Sequence, residues 1–212
     1  GWRWPAPQAN NPRMVEALEF VVGLTNEGLT PAIEMGSGQT LQGFFTSGKL
    51  GMTPAGGFWS GGLINEGMAK GDFDVQFWPK WLSQRHQLGV GAAWILNGAE
   101  YEDEAWEFVK FGTQREVMEM LRFFGELTTT TPVRRSMNNE QRYATSGPAN
   151  WHVFYDTLDK LPDTGPIPAP PFSIEETNIY TRYTSQATSG ELSPQAALDG
   201  MQAELEALYA RQ

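Results

Sequence analysis

Between residues 161 and 172 the chain reads LPDTGPIPAPPF, with five prolines and one glycine. Proline has no backbone N–H and fixes φ, so this run is neither a helix interior nor a central strand. It must be extended or linker-like, and it separates two helical patterns from everything before it. Beyond it, SIEETNIYTRYTSQATSG predicts a helix ending at Gly190, with Ser173 and Glu176 at capping-box spacing. The last helix has Ser193 as cap and Pro194 in its first turn. Ala197, Met201, Leu205 and Leu208 form its apolar stripe.

Similar punctuation organises the rest of the chain. Asn11 caps and Pro12 opens a helix over 10–28, with Met14, Leu18, Val21 and Val22 at helical spacing and Gly28 at its end. A second helix is predicted over 38–47, closed by Gly48. KLGMTPAG reads as a short strand, and GFWSGGLINEGMAKG as a short helix. In DFDVQFWPK, Phe73, Val75 and Phe77 alternate onto one side until Pro79, and LGVGAAWIL has the small apolar composition of a strand. EDEAWEFVKFG predicts a helix with Ala105, Phe108, Val109 and Gly112 buried. QREVMEMLRFFGEL predicts another, with Val117, Leu121 and Phe124 on one face. TTTTPVRRS breaks helicity, and a further helix starts near Pro148. This helix-rich order with a few short strands is of the α/β class.

Composition narrows the function. The 212 residues are 40% hydrophobic and 19% charged, as in globular proteins. A net charge of −10 repels a phosphate backbone, and PVRRS is too short a basic patch to reverse that, so no nucleic acid is expected. With no cysteine, disulfides, thiol catalysis and cysteine metal sites are excluded. No apolar run reaches membrane-spanning length. The opening GWRWPAPQANNP has no apolar signal region and reads as the interior of a longer gene product. His86 and His152 lack metal-ligand spacing, and there is no nucleophile elbow or phosphate-binding loop. GLTNEG and GSGQTLQG lack the strand and acidic residue that a dinucleotide site needs. Catalytic residues, metal and cofactor are therefore expected to be absent. The carboxylates of EDE and EE read as solvated helix faces, and a catalytic pair is defined by separation in space.

The chain carries 8 Trp. In TPAGGFWSGG, Gly56 and Gly57 precede Phe58 and Trp59, at the end of the expected strand. Glycine lets a ligand approach there and leaves N–H groups at a helix start pointing outward. A buried ring at a turn fits the local pattern slightly better. Trp94, after GVGAA, is placed near a cleft. Trp106 reads as packing, Trp151 as packing or lid, and Trp78 and Trp81 as either. Arg134 and Arg135 are possible ligand donors on a segment that reads as surface.

The order of these pieces resembles a known family. ALEFVVGLTNEG, GQTLQGFFTSGKLGMTPAGGFW, DFDVQFWPK, GVGAAWIL, DEAWEFVKFGTQREVMEML and TPVRRS follow one another as in the extracellular solute-binding proteins of sugar-type ABC importers, the maltose-binding-protein-like group. The family phrase F-x-x-G-K-x-A-M-x-x-x-G-x-W stands here as Phe45, Gly48, Lys49, Met52, Gly57 and Trp59, with Gly51 where Ala is common. A-W-E-F-x-K-F is complete at 105–111, and P-x-R stands at Pro132–Arg134. The resemblance covers the second half of longer proteins. It implies a periplasmic-binding-protein-like type II fold, α/β, with a helix-rich C-terminal lobe and part of the N-terminal lobe. Residues 1–88 and 149–212 would belong to the C-terminal lobe and 89–148 to the crossing into the incomplete N-terminal one.

The resemblance further implies a monomeric, non-catalytic binding protein. It would hold a carbohydrate between two lobes and deliver it to the permease subunits of an ABC transporter. Its place would be the periplasm or, as a lipoprotein, the outer face of the cell membrane. It implies Trp59 as a ring that stacks on sugar, beside Gly57 and with Phe58 packing behind. Gly91, Ala92, Ala93 and Trp94 would lie at the crossing, Arg134 after it, and Glu175, Glu176 and Asn178 at a third cleft-facing segment. Two rival readings stay open. One is a carbohydrate-active hydrolase or lyase with a carboxylate pair. The other is a binder of a polyamine, peptide or metal, for which Glu175 and Glu176 are the only suggestive pair.

Overall fold

The structure is a computed structural model that describes residues 4–30, 38–89, 91–124, 127–128, 131, 134–138, 140–161, 163–166 and 169–211. In chain order its helices are α1 (Pro12–Asn26), α2 (Gly38–Thr46), α3 (Trp59–Asn65), α4 (Glu102–Gly112), α5 (Arg115–Arg122), α6 (Glu140–Ser146), α7 (Val153–Lys160), α8 (Ser173–Thr188) and α9 (Pro194–Tyr209). Among the described residues one antiparallel pair, β1 (Phe123–Phe124) with β2 (Leu127–Thr128), sets Phe123 opposite Thr128. The chain divides into two units, Gly1–Gly51 with Pro168–Gln212, and Met52–Ile167. The proline-dense run therefore contains a unit boundary.

In the first unit the predicted caps are present. The Asn11 side chain accepts from the N–H groups of Arg13 and Met14, and Ser193 accepts from Ala196. Gly28 and Gly190 end their helices at φ 68° and 79°. The core joins Leu18 of α1, Ala187 of α8, and Ala197, Leu198, Met201 and Leu205 of α9. Each large apolar side chain buried this way is worth roughly 1.5–3 kcal/mol. The α1 stripe is Val15, Leu18 and Val22, and the expected Met14 and Val21 are exposed. The capping box is a correction too. Phe172 is the α8 N-cap and makes no side-chain cap bond, so Ser173 lies inside the helix. The segment before α1 is strapped to α9: Gln202 accepts from the Ala9 N–H at 2.7 Å and donates to the Pro7 carbonyl at 2.9 Å.

The second unit holds Leu63, Phe73, Met118, Met137, Trp151 and Val153 inside. Trp151 is 1% exposed and meets Phe154 edge-on at 4.9 Å, which assigns it to packing. Asp74 accepts from both the backbone and the side-chain N–H groups of Asn150, at 2.9 and 2.8 Å. This bond precedes α7, which starts at Val153 rather than near Pro148.

Three expected strands are not strands. KLGMTPAG, DFDVQFWPK and the described part of LGVGAAWIL carry no ladder. A strand is a pairing, and the bridge here is one parallel contact, Gln87 with Gly165. The alternation in DFDVQFWPK survives as burial alone, with Phe73 buried and Val75 and Phe77 half-buried between exposed neighbours. Among the described residues, regular structure is thus nearly all helical.

Two helices also differ. α4 buries no residue; Phe108 is 73% exposed and Gly112 and Trp106 are exposed as well, against the expected stripe and the expected packing of Trp106. Glu102–Glu104 in its first turn and Lys110 in its last complement its dipole. α5 stops at Arg122, because consecutive Phe123 and Phe124 favour extended backbone. Met118 is its buried residue, and the side chains of Leu121 and Phe124 lie outside the described set.

Candidate functional site

The glycine-flanked aromatic pair sits where the chain turns into α3. The N–H groups of Trp59 and Ser60 donate to the carbonyls of Gly56 and Gly57, at 3.0 and 3.2 Å. These two donors are satisfied within the turn. A Cβ on Gly56 would lie 2.4 Å from the Phe58 ring, which folds back over it, and one on Gly57 would touch Phe154 at 3.5 Å. The bare backbone thus makes room for the protein's own rings. Exposure runs opposite to expectation: Phe58 is 68% exposed and Trp59 is half-buried. α3 is anchored behind them by buried Ser60, Gly61 and Leu63.

The other expected residues are placed as follows. Gly91, Ala92, Ala93 and Trp94 are exposed and outside regular structure, with Trp94 at 83%. Arg134 is exposed, and its carbonyl accepts from the Met137 N–H at the start of a short 3-10 turn. Its neighbour Arg135 pairs with Asp159 at 2.5 Å. All of these, with Gly57, Phe58 and Trp59, belong to the Met52–Ile167 unit, whereas Glu175, Glu176 and Asn178 lie on α8 in the other.

On α8, Glu175 and Asn178 are exposed but Glu176 is turned inward. Its Oε1 accepts from the hydroxyls of Tyr180 at 2.7 Å and Tyr209 at 2.8 Å, which ties α8 to the end of α9. Burial, then the bond to Glu176, pushes the Tyr209 hydroxyl up to about 12. The same causes raise Tyr180 further. The two adjacent glutamates are therefore not a pair facing one space.

Sequence reasoning missed two features. A surface cavity of about 440 Å³ opens between α5, the 3-10 turn and α6, lined by Arg115, Glu119, Ser136, Asn138, Glu140 and Arg142 among others. Its signal in the sequence is only the i,i+4 spacing of Arg115 and Glu119, which pair at 3.0 Å. The second is His86. It packs edge-on against Phe77 at 5.7 Å, its Nε2 is buried without a hydrogen-bond partner, and burial lowers its pKa. Among the described residues no group of three metal-ligating side chains is placed to hold an ion.

The family model for bacterial extracellular solute-binding proteins matches residues 1–119, more than half of the chain. The chain belongs to this family. The match takes in the aromatic turn and Gly91–Trp94; Arg134 and the α8 residues lie beyond it. This solute-binding protein is accordingly extracytoplasmic, with a periplasmic-binding-protein-like fold, here helix-rich. Its role is to bind a small-molecule substrate for an ABC importer and its permease.

Proposed function

We propose that this solute-binding protein takes a carbohydrate and that the Gly56–Asn65 turn supplies the stacking rings. The observation that carries the reading is the pair itself. Phe58 offers a largely exposed ring, and Trp59 a half-covered one on a helix anchored by buried residues. Rigid aromatic faces stack on the apolar faces of sugar rings at little conformational cost. Residues 1–88 and 149–212 are assigned to the C-terminal lobe and 89–148 to the N-terminal one. Gly57, Gly91, Ala92, Ala93, Trp94, Arg134, Glu175 and Asn178 are the further candidates for contact. Glu176 is set aside because its carboxylate already accepts two tyrosine hydroxyls. That engagement also weakens a polyamine reading, which needs paired free carboxylates. We further assign the protein a monomeric state and a place in the periplasm or, lipid-anchored, at the outer face of the cell membrane.

The test is calorimetry of the full gene product against a panel of sugars. Trp59→Ala and Phe58→Ala should each weaken binding by about 1–3 kcal/mol, by analogy with other stacking platforms. Undiminished affinity in both variants, with the fold intact, would sink the platform. Heat only with a non-sugar solute would sink the carbohydrate.

A further inference from the structure

We propose that the loop Phe77–His86 is a docking surface for an anionic lipid bilayer. The chain has 25 Asp and Glu residues, yet none lies between residues 75 and 99. Within that acid-free stretch the loop exposes Trp78 at 41%, Trp81 at 70% and Leu82 at 67%. Lys80 and Arg85 stand exposed beside them. Soluble surfaces scatter single apolar residues, so three within five positions need a use. Tryptophan flanked by lysine and arginine is the composition that settles at a membrane interface, with rings at headgroup depth and cations on the phosphates.

The loop is held in shape for this. The Gln84 side chain donates to the Trp78 carbonyl at 2.8 Å, and the His86 ring packs on Phe77 and Trp78. That base leaves Lys80, Trp81 and Leu82 outward. Asp163 approaches Arg85 only at 3.8 Å, with both side chains well exposed, so it offsets the positive charge loosely. A ten-residue loop is small beside the roughly 20–30 residues a side that a stable protein interface uses. A peripheral membrane contact needs only a few rings and charges. Among the described residues no helix is long and apolar enough to cross a bilayer. The family's extracytoplasmic location puts such a surface within reach.

The experiment is co-sedimentation of the full gene product, produced without lipid acylation, with vesicles of phosphatidylglycerol and phosphatidylcholine, against phosphatidylcholine alone, at low and high salt. A chain of net charge −10 is repelled overall, so adsorption must come from a local patch. The expected result is salt-sensitive binding to the anionic vesicles alone. Lys80→Gln should weaken it about fivefold, and Trp81→Ser/Leu82→Ser should remove it with the thermal melt unchanged. Equal adsorption to both vesicle types, or full binding by both variants, overturns the proposal. So does self-association that needs Trp81 and occurs without vesicles, which would give the loop to a second copy of the chain.

Discussion

Gly200 lies in the middle of α9, where alanine would normally be the better residue by about 1 kcal/mol. We predict the reverse. A Cβ at position 200 would stand 2.6 Å from Cε1 of Tyr183, 2.9 Å from Cζ and 3.0 Å from its hydroxyl oxygen. The ring is not free to step aside. Its hydroxyl donates to Glu204 at 2.7 Å, the Arg182 guanidinium sits 4.9 Å over its face, and its body packs on the α1–α8–α9 core. Forcing it outward costs roughly 1–3 kcal/mol in overpacking, and losing the hydroxyl bond costs about 1 kcal/mol more. Against the helix gain, Gly200→Ala should destabilise by about 1–3 kcal/mol. Because the chain has two units, the measurement should be hydrogen exchange of the α8 and α9 amides, which reports this unit locally. The control is Tyr183→Ala, in which the same substitution should become stabilising. Slower exchange in Gly200→Ala alone, or no change of sign in the Tyr183→Ala background, would refute the packing argument.

Two buried polar groups, Glu176 and His86, give the further outcomes. Glu176→Ala strands two tyrosine hydroxyls and should cost about 1–3 kcal/mol by the same exchange measurement, while Glu176→Gln keeps an acceptor and should cost less. In Glu176→Gln, ultraviolet titration should find Tyr209 ionising below about 12, though still raised, since burial is the larger cause. In the wild type the unfolded chain ionises that phenol first, so this part of the stability is present below pH 10 and lost as pH rises toward about 12. His86 has the opposite sense. Its folded pKa lies below the ordinary 6.5, so the unfolded chain takes the proton first and stability declines as pH falls below 6.5. His86→Leu should flatten that acid limb in melting curves taken across it.

What could be read from the sequence divides by physics. Caps are local, so Asn11–Pro12 and Ser193–Pro194 marked helix starts within a residue. The α9 stripe was legible because the face it presents is uniformly apolar. Strands were not legible, because LGVGAAWIL and DFDVQFWPK have the composition of strands but pairing depends on residues far away in sequence. α4 misled for the same reason: Phe108 and Gly112 lie on a periodic stripe, and periodicity does not say that anything covers it. At the site, glycines beside aromatics correctly marked a tight turn. Which ring faces outward was not readable, since it depends on Phe58 folding back over Gly56. The inward turn of Glu176 depends on Tyr209, which lies 33 residues further on.

The Gln202 strap joins residues 193 and 195 positions apart, and the core beneath it likewise mixes the first helix with the last two. α1 precedes α9 in the chain, and the core they share cannot form until α9 is present. The intervening Met52–Ile167 unit is available to condense in the meantime. Loop-closure entropy grows with the logarithm of the open length, and a loop already condensed is effectively shorter. Assembly from the inside outward is therefore the cheaper order, and until it finishes the apolar face of α1 stays uncovered.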